Sequence, residues 1–365
     1  MKKVSVITMH RIYNYGSVLQ AYATQKLLEN KGFVCEIVDY ISPFRAKKPL
    51  FLEYPPSLEG KKLKKFVYYT AKIPSFVLKE HTFGSFIKKN LRLTKQQYIT
   101  NEDILKAPPQ ADIYISGSDQ VWNSKYNHGV DKSYYLNYAP EGAKKYAFVS
   151  SFGKTALSQE EIDVVRPMLA EYQRISVRED SAVRLLSDMG LQSECLIDPT
   201  FQIERSHWEG LASRRLEKEN YLLLFLLYIE DNGATEFAWK IAKDKGLKLV
   251  KLSWELKKPN GVDRLFTHRS PGDFLSLFFH ADFIVTNSFH GTAFSINLNR
   301  PFIFVPRSEF NGRIESLLRL FHLENRRVSQ ENELAVVGQE MDYSAVNEIL
   351  KKERERADTF LSALS

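Results

Sequence analysis

Several short stretches of this sequence carry side chains able to do chemistry, and each follows directly on an apolar run. In "FIVTNSFHGT", Ser288, His290, Gly291 and Thr292 stand where a strand gives way to a helix. An anion bound at such a turn meets free backbone N–H groups, the positive end of the helix dipole and an imidazole. His290 is therefore an acid–base candidate; a lone histidine is also often a satisfied structural residue. Downstream, "RPFIFVPRSEFNGR" adds Arg307 and then Arg313 at a helix start. In "RISVREDSA", Arg178 precedes Glu179 and Asp180. Its fork of donors suits a bidentate phosphate or carboxylate, the alternative being an ion pair to Glu179 or Asp180.

Two further turns have the chemistry of an acceptor pocket. "ISGSDQVWN" supplies Ser118, a carboxylate at Asp119, amides at Gln120 and Asn123, and the indole of Trp122. Such a set grips sugar hydroxyls and an apolar ring face; the alternative is an Asx-type turn with Trp122 buried beneath it. "HRIYNYGSVLQ" sets Asn14, Tyr15, Gly16 and Ser17 at a helix start, where Gly16 permits close backbone approach. There the alternative is a cap, with Tyr15 as packing. "YAFVSSFGK" adds Ser150, Ser151, Gly153 and Lys154 as a helper surface.

Turns of this kind need parallel strands to hold them. "KVSVITM", "SVLQAYATQKLLENKG" and "FVCEIVDY" read as strand, helix and strand, a βαβ unit. The rhythm resumes with "DIYISGS", "KYAFVSSF", "RISVRED" and "SECLID", and restarts after residues 205–219 with "YLLLFLLY", "KLVKLSW", "FIVTNS" and "PFIFVP". The expectation is α/β: two Rossmann-like, doubly wound domains facing a cleft, with ligands past the carboxyl ends of the strands. Their bounds are 1–205, with a basic helical insertion at 43–97, and 206–338. A helix in 339–365 packs back on the first domain.

With 44% hydrophobic and 26% charged residues, the composition is that of a globular chain. The longest apolar run, Tyr221–Ile229, is far short of the ~20 residues that span a bilayer, and the short N-terminal apolar stretch reads as a strand rather than a leader. Two cysteines, Cys35 and Cys195, fall in expected buried strands, which suits a reducing cytoplasm. Between Pro43 and Lys95 thirteen Lys or Arg meet three Glu, more than the whole chain's net charge of +7. That block reads as a solvated helical insertion, as a surface for anionic lipid or acidic saccharide, or as a nucleic-acid patch. No recognised nucleic-acid motif accompanies it, so nucleic acid is not an expected partner. Phosphate-loop, dinucleotide and zinc signatures are absent, and neither a metal nor a bound cofactor is expected.

Taken together, "NYGSVLQAYA", "ISGSDQVWN", "SVRED", "DPTF" and "TNSFHGTAFSINLNRPF" resemble the polysaccharide pyruvyl transferase family. The resemblance runs from about Val4 to Arg327. It implies a glycosyltransferase B-like fold and transfer of pyruvate from phosphoenolpyruvate, as a ketal, onto two hydroxyls of a cell-surface saccharide or its lipid-linked precursor. By resemblance Arg178 and His290 are donor-site residues; in the mechanism expected here His290 is the acid that protonates the methylene carbon and Asp119 a base. The substrate-binding set expected around them is Arg313, Ser288, Gly291, Thr292, Asn14, Tyr15, Gly16, Ser118, Gln120 and Trp122. The family pattern has Arg-Leu-His where this chain has Ser288-Phe289-His290. Arg307 or Arg313 then supplies the missing cation, or the donor differs. The alternatives are a nucleotide-sugar glycosyltransferase of the same fold and a non-catalytic saccharide-binding module. The expected location is cytoplasmic, with contact to the inner face of the membrane through the basic block.

Overall fold

Parallel strands must be joined by crossovers of a dozen or more residues, and amphipathic segments supply these crossovers along the chain. The computed structural model describes residues 1–43, 46, 59–227, 233–307, 311–328, 337–338 and 340–364. The chain divides into two compact units, Met1–Leu196 and Ile197–Ala363, each built on one parallel sheet.

The first sheet has seven strands: β1 (Lys3–Ile7), β2 (Val34–Tyr40), β3 (Leu93–Tyr98), β4 (Ile113–Ser116), β5 (Lys144–Ser150), β6 (Arg174–Val177) and β7 (Glu194–Cys195). Their spatial order is β3-β2-β1-β4-β5-β6-β7. The second has five: β8 (Tyr221–Phe225), β9 (Lys248–Ser253), β10 (Arg264–Thr267), β11 (Phe283–Thr286) and β12 (Phe302–Phe304), in the order β10-β9-β8-β11-β12. Central strands such as β4 and β11 are buried at every residue. Helices cover both faces of such a sheet, so its strands are apolar without alternation. Each sheet has one place where the strand order reverses, between β1 and β4 in the first and between β8 and β11 in the second. There the crossovers leave on opposite faces, and a crevice opens at the carboxyl ends of the strands.

The helices that concern the site are α1 (Tyr15–Asn30), α2 (Lys62–Asn90), α3 (Asp180–Asp188), α4 (Phe289–Asn297), α5 (Gly312–Leu320) and α6 (Tyr343–Ser362). The basic block is largely helical. Residues 44–45 and 47–58 lie outside the described residues, and Lys62–Asn90 forms the 29-residue α2, running through Pro74 and leading into β3, which takes up the end of the block. The first unit ends at Leu196, ahead of Arg205, because Asp198–Ile203 is tied into the second. Asn297 Nδ2 donates to Thr200 O at 2.8 Å, and Arg354 of α6 donates to Phe201 O at 2.8 Å and to Asn297 Oδ1 at 3.0 Å. Cys35 is buried, and burial pushes its thiol up; Cys195, expected in the core, is only partly covered on the edge strand β7. Among the described residues no helix is long and apolar enough to cross a membrane.

Candidate functional site

At the β1–β4 reversal the turn after β4 must pass close to β1. A Cβ on Gly117 would lie 3.0 Å from Thr8 Cβ and 3.1 Å from Val6 Cγ1, so any larger residue would make these neighbours give by a few tenths of an ångström. Thr8 Oγ1 then donates to Ser118 O at 2.8 Å. Asp119 follows with φ +76°, a left-handed backbone that Asp tolerates better than most residues but that is still strained. That conformation turns its carboxylate back to accept from Ser17 Oγ at 2.5 Å, from Gln120 N at 2.9 Å and from Arg178 Nη2 at 3.4 Å. Ser17 lies in the first turn of α1, whose cap is Asn14 accepting from Gly16 N at 2.9 Å. The ends of β1, β4 and β6 thus converge on one carboxylate.

Arg178 pairs with Asp119, across 59 residues of chain. The buried Glu179 accepts from Ser151 Oγ at 2.8 Å and Gly153 N at 3.1 Å, fastening the end of β6 to that of β5. The Arg178 side chain is 1% exposed, which makes this a buried ion pair. Breaking such a pair on one side costs about 3–5 kcal/mol.

Other expectations fail in this unit. Trp122 is not a stacking plane: its indole is stacked on Tyr135 with centroids 5.6 Å apart, packs on Phe152 at 5.1 Å, and donates through Nε1 to Tyr134 O at 3.2 Å. At 1% exposure it has no face left for a sugar. Gln120 Oε1 accepts from Asn123 Nδ2 at 2.7 Å, closing the turn on itself. Tyr15 is buried against Phe83 of α2 with ring centroids 5.1 Å apart. Lys154 donates to both Glu161 oxygens at 2.8 and 2.9 Å and so works as a structural cation.

A neighbouring cluster went unread in the sequence, although the "HR" directly after β1 was its signal. Arg11 donates from Nε and Nη2 to the two Asp39 oxygens at 2.7 and 2.6 Å, and the fully buried His10 places Nε2 3.3 Å from the same carboxylate. Burial opposes ionisation of Asp39, but the His10 and Arg11 hydrogen bonds outweigh it and hold the carboxyl well below the usual range.

At the β8–β11 reversal the strand ends are laced together by side chains. Thr286 Oγ1 donates to Phe225 O at 2.7 Å and accepts from Ser288 N at 3.1 Å, while Asn287 Oδ1 accepts from Leu227 N at 2.6 Å. Ser288 is the N-cap of α4, its hydroxyl accepting from Gly291 N at 3.2 Å. Serine satisfies an orphan donor there, as an arginine could not. His290 is the second residue of α4, with its side chain 10% exposed and Nε2 3.9 Å from Asp198 Oδ2, a carboxylate that is itself fully buried. Asp198 caps its own short helix, accepting from Thr200 N at 3.0 Å and Thr200 Oγ1 at 2.8 Å. Its place beside the imidazole was missed, although the Asp-Pro-Thr helix start was its signal. Thr292 is wholly buried, and Arg313, in the first turn of α5, sets its guanidinium 5.7 Å from the Phe289 ring centroid, bringing a cation to the start of α4. Arg307 belongs to the loop before α5, its backbone paired with Asn311 at 2.9 and 2.7 Å.

Comparison with known proteins agrees with this architecture. Among solved structures, the S. aureus MnaA–UDP co-structure aligns with a TM-score of 0.50 at 12% identity, over 99% of this chain and 91% of that one. At that identity the likeness carries the fold alone, which is glycosyltransferase B-like. The Streptomyces sp. SF2575 glycosyltransferase SsfS6, complexed with thymidine diphosphate, aligns at 0.48 and 14% identity over 99% and 98% of the two chains. No curated protein matches the sequence. The polysaccharide pyruvyl transferase family model matches residues 14–309, from the cap of α1 to beyond β12. With a match of that extent, the chain belongs to the polysaccharide pyruvyl transferase family.

Proposed function

We propose that the protein moves pyruvate from phosphoenolpyruvate onto two hydroxyls of a saccharide, forming a ketal and releasing phosphate. The observation that carries this reading is His290, at the start of a helix where the strand order reverses, with the buried Asp198 carboxylate 3.9 Å from its Nε2. A proton on that nitrogen faces a fixed negative charge on one side. The backbone N–H groups of the α4 first turn and the Arg313 guanidinium offer an anion site nearby.

In this mechanism His290 delivers its proton to the methylene carbon, and C2 becomes electrophilic. One sugar hydroxyl attacks C2 and gives its proton to a base, the role that the sequence suggests for Asp119. Phosphate departs with the C–O bonding pair, and the second hydroxyl closes the ketal, losing the second proton. Phosphoenolpyruvate carries close to three negative charges once its phosphate has passed a second pKa of ~6, so binding rests on cations. Arg178 and Arg313 are the proposed ones, with Arg313 standing in for the arginine that Ser288 lacks. Ser17 and Ser118 are proposed on the acceptor side. Phosphoenolpyruvate is made in the cytoplasm, so the reaction is placed there, on a cell-surface saccharide or its lipid-linked precursor.

The test is thermal unfolding with and without phosphoenolpyruvate, each variant being compared with its own unliganded melting temperature. A ligand at a hundred times its Kd adds about 2.7 kcal/mol. Stabilisation of the native protein that vanishes in Arg178→Ala supports the donor assignment. Stabilisation by nucleotide sugars alone, or by no anion at all, overturns it.

A further inference from the structure

The helix α2 turns an apolar face to solvent. Leu63, Phe66, Val67 and Val77 are 77, 65, 59 and 58% exposed, with Ile73 and Leu78 also open, so that this helix holds half of the exposed large hydrophobic side chains among the described residues. At 3.6 residues per turn these six fall within an arc of about 140°. Phe83, Phe86 and Ile87 lie on the opposite side of the helix and are buried in the first unit. The exposed arc is therefore left over after the helix has already packed.

Charge accompanies it. The segment Lys62–Asn90 has seven lysines and a single glutamate. Lys64 and Lys89 border one edge of the apolar arc, Lys88 lies at its C-terminal end, and all three are exposed. A second copy of this chain is a poor occupant: an antiparallel pair of these helices would set the Lys64 end of one copy against the Lys88–Lys89 end of the other. The single Glu80 is taken by the Tyr13 hydroxyl. Apolar side chains rimmed by lysines, on a helix too polar to span a bilayer, fit the headgroup layer of a negatively charged membrane.

We infer that the exposed face of α2 docks on anionic phospholipid, with Leu63, Phe66, Val67, Ile73, Val77 and Leu78 inserted below the headgroups and Lys64, Lys88 and Lys89 paired with lipid phosphates. The inference does not depend on pyruvyl transfer. The inner face of the same helix holds the loop that enters α1, through Glu80 with Tyr13 and through Phe83, whose ring centroid is 5.8 Å from that of Tyr13 and 5.1 Å from that of Tyr15. Docking through α2 therefore fixes the loop from β1 into α1, which leads to Asn14 and Ser17, relative to the bilayer.

The experiment is co-sedimentation of the full chain with phosphatidylglycerol vesicles and, separately, with phosphatidylcholine vesicles. The protein is expected to partition onto the first and not the second. Phe66→Glu with Val77→Glu, and separately Lys88→Glu with Lys89→Glu, should each lower partitioning by about tenfold or more. Their melting temperatures should be unchanged, because these side chains are exposed. Failure to bind phosphatidylglycerol, or undiminished binding by the Phe66→Glu/Val77→Glu protein, overturns the inference. So does a dimer in solution that this pair of substitutions converts to monomer, since the face would then belong to a second copy.

Discussion

Replacing Gly291 by alanine should unlock the second sheet at its reversal. A Cβ there would stand 2.2 Å from Thr286 Oγ1, 3.1 Å from Thr286 Cβ and 3.2 Å from Phe225 Cδ1. Thr286 has to leave its rotamer, at about 1 kcal/mol. Its hydroxyl then abandons Phe225 O and the N–H of Ser288, two buried groups that each cost about 1–2 kcal/mol when unpaired. The sum is about 3–5 kcal/mol, or a fall of about 10 °C in melting temperature for a unit of this size. Thr286→Ala alone gives up the same two hydrogen bonds but clears the closest contact. The double variant should therefore cost about what Thr286→Ala costs, and fall short of the sum of the two single changes by about the Gly291→Ala cost itself, about 3–5 kcal/mol. Tryptophan fluorescence during urea unfolding is a suitable readout, because Trp208, Trp239 and Trp254 all belong to the second unit. Additive losses, or an alanine at 291 that costs under about 1 kcal/mol, would refute the clash and the lacing it depends on.

Two further outcomes follow from the first unit. Trp122→Ala should cost about 3–5 kcal/mol as a large core truncation, while Trp122→Phe leaves saccharide binding unchanged; a loss of acceptor affinity in a well-folded Trp122→Phe protein would restore the stacking role. Burial opposes ionisation of Glu161, but the Lys154 ammonium and the Ser124 hydroxyl overcome it and lower the pKa from 4.5 to about 2. A depressed carboxyl stabilises the fold above its unfolded value, and that stability goes as pH falls from 4.5 towards 2. Lys154→Met should flatten acid unfolding in that window, and superimposable curves for the two proteins would contradict the pairing.

The sequence showed the central strands plainly, since β1, β4, β8 and β11 are buried on both faces and read as unbroken apolar runs. It did not show β3 or β10, both at sheet edges: "LTKQQY" exposes three residues in a row, and "RLFT" buries only one. Position after a strand was enough to single out Asp119, Arg178 and His290 as strand-end residues, because the fold puts the carboxyl ends of its strands at the crevice. Partners were harder. Arg178 meets Asp119 across 59 residues, and His290 meets Asp198 from another strand end, separations that spacing along the chain cannot encode. Nor does composition tell which way a turn side chain points. Trp122 beside Asp119 suggested a sugar platform, but the core around Tyr135 and Phe152 claimed the indole.

The most direct measurement is to incubate the protein in heavy water with phosphoenolpyruvate and a panel of lipid-linked and nucleotide-linked sugars, following phosphate release and the mass of each sugar. Pyruvyl transfer predicts that phosphate appears only with an accepted sugar. That sugar gains one pyruvate less one water, with a single deuterium in the new methyl group, and His290→Gln slows the reaction about a hundredfold or more. Phosphoenolpyruvate left intact across the panel while a nucleotide sugar transfers its glycosyl group, or full activity in His290→Gln, would contradict the account.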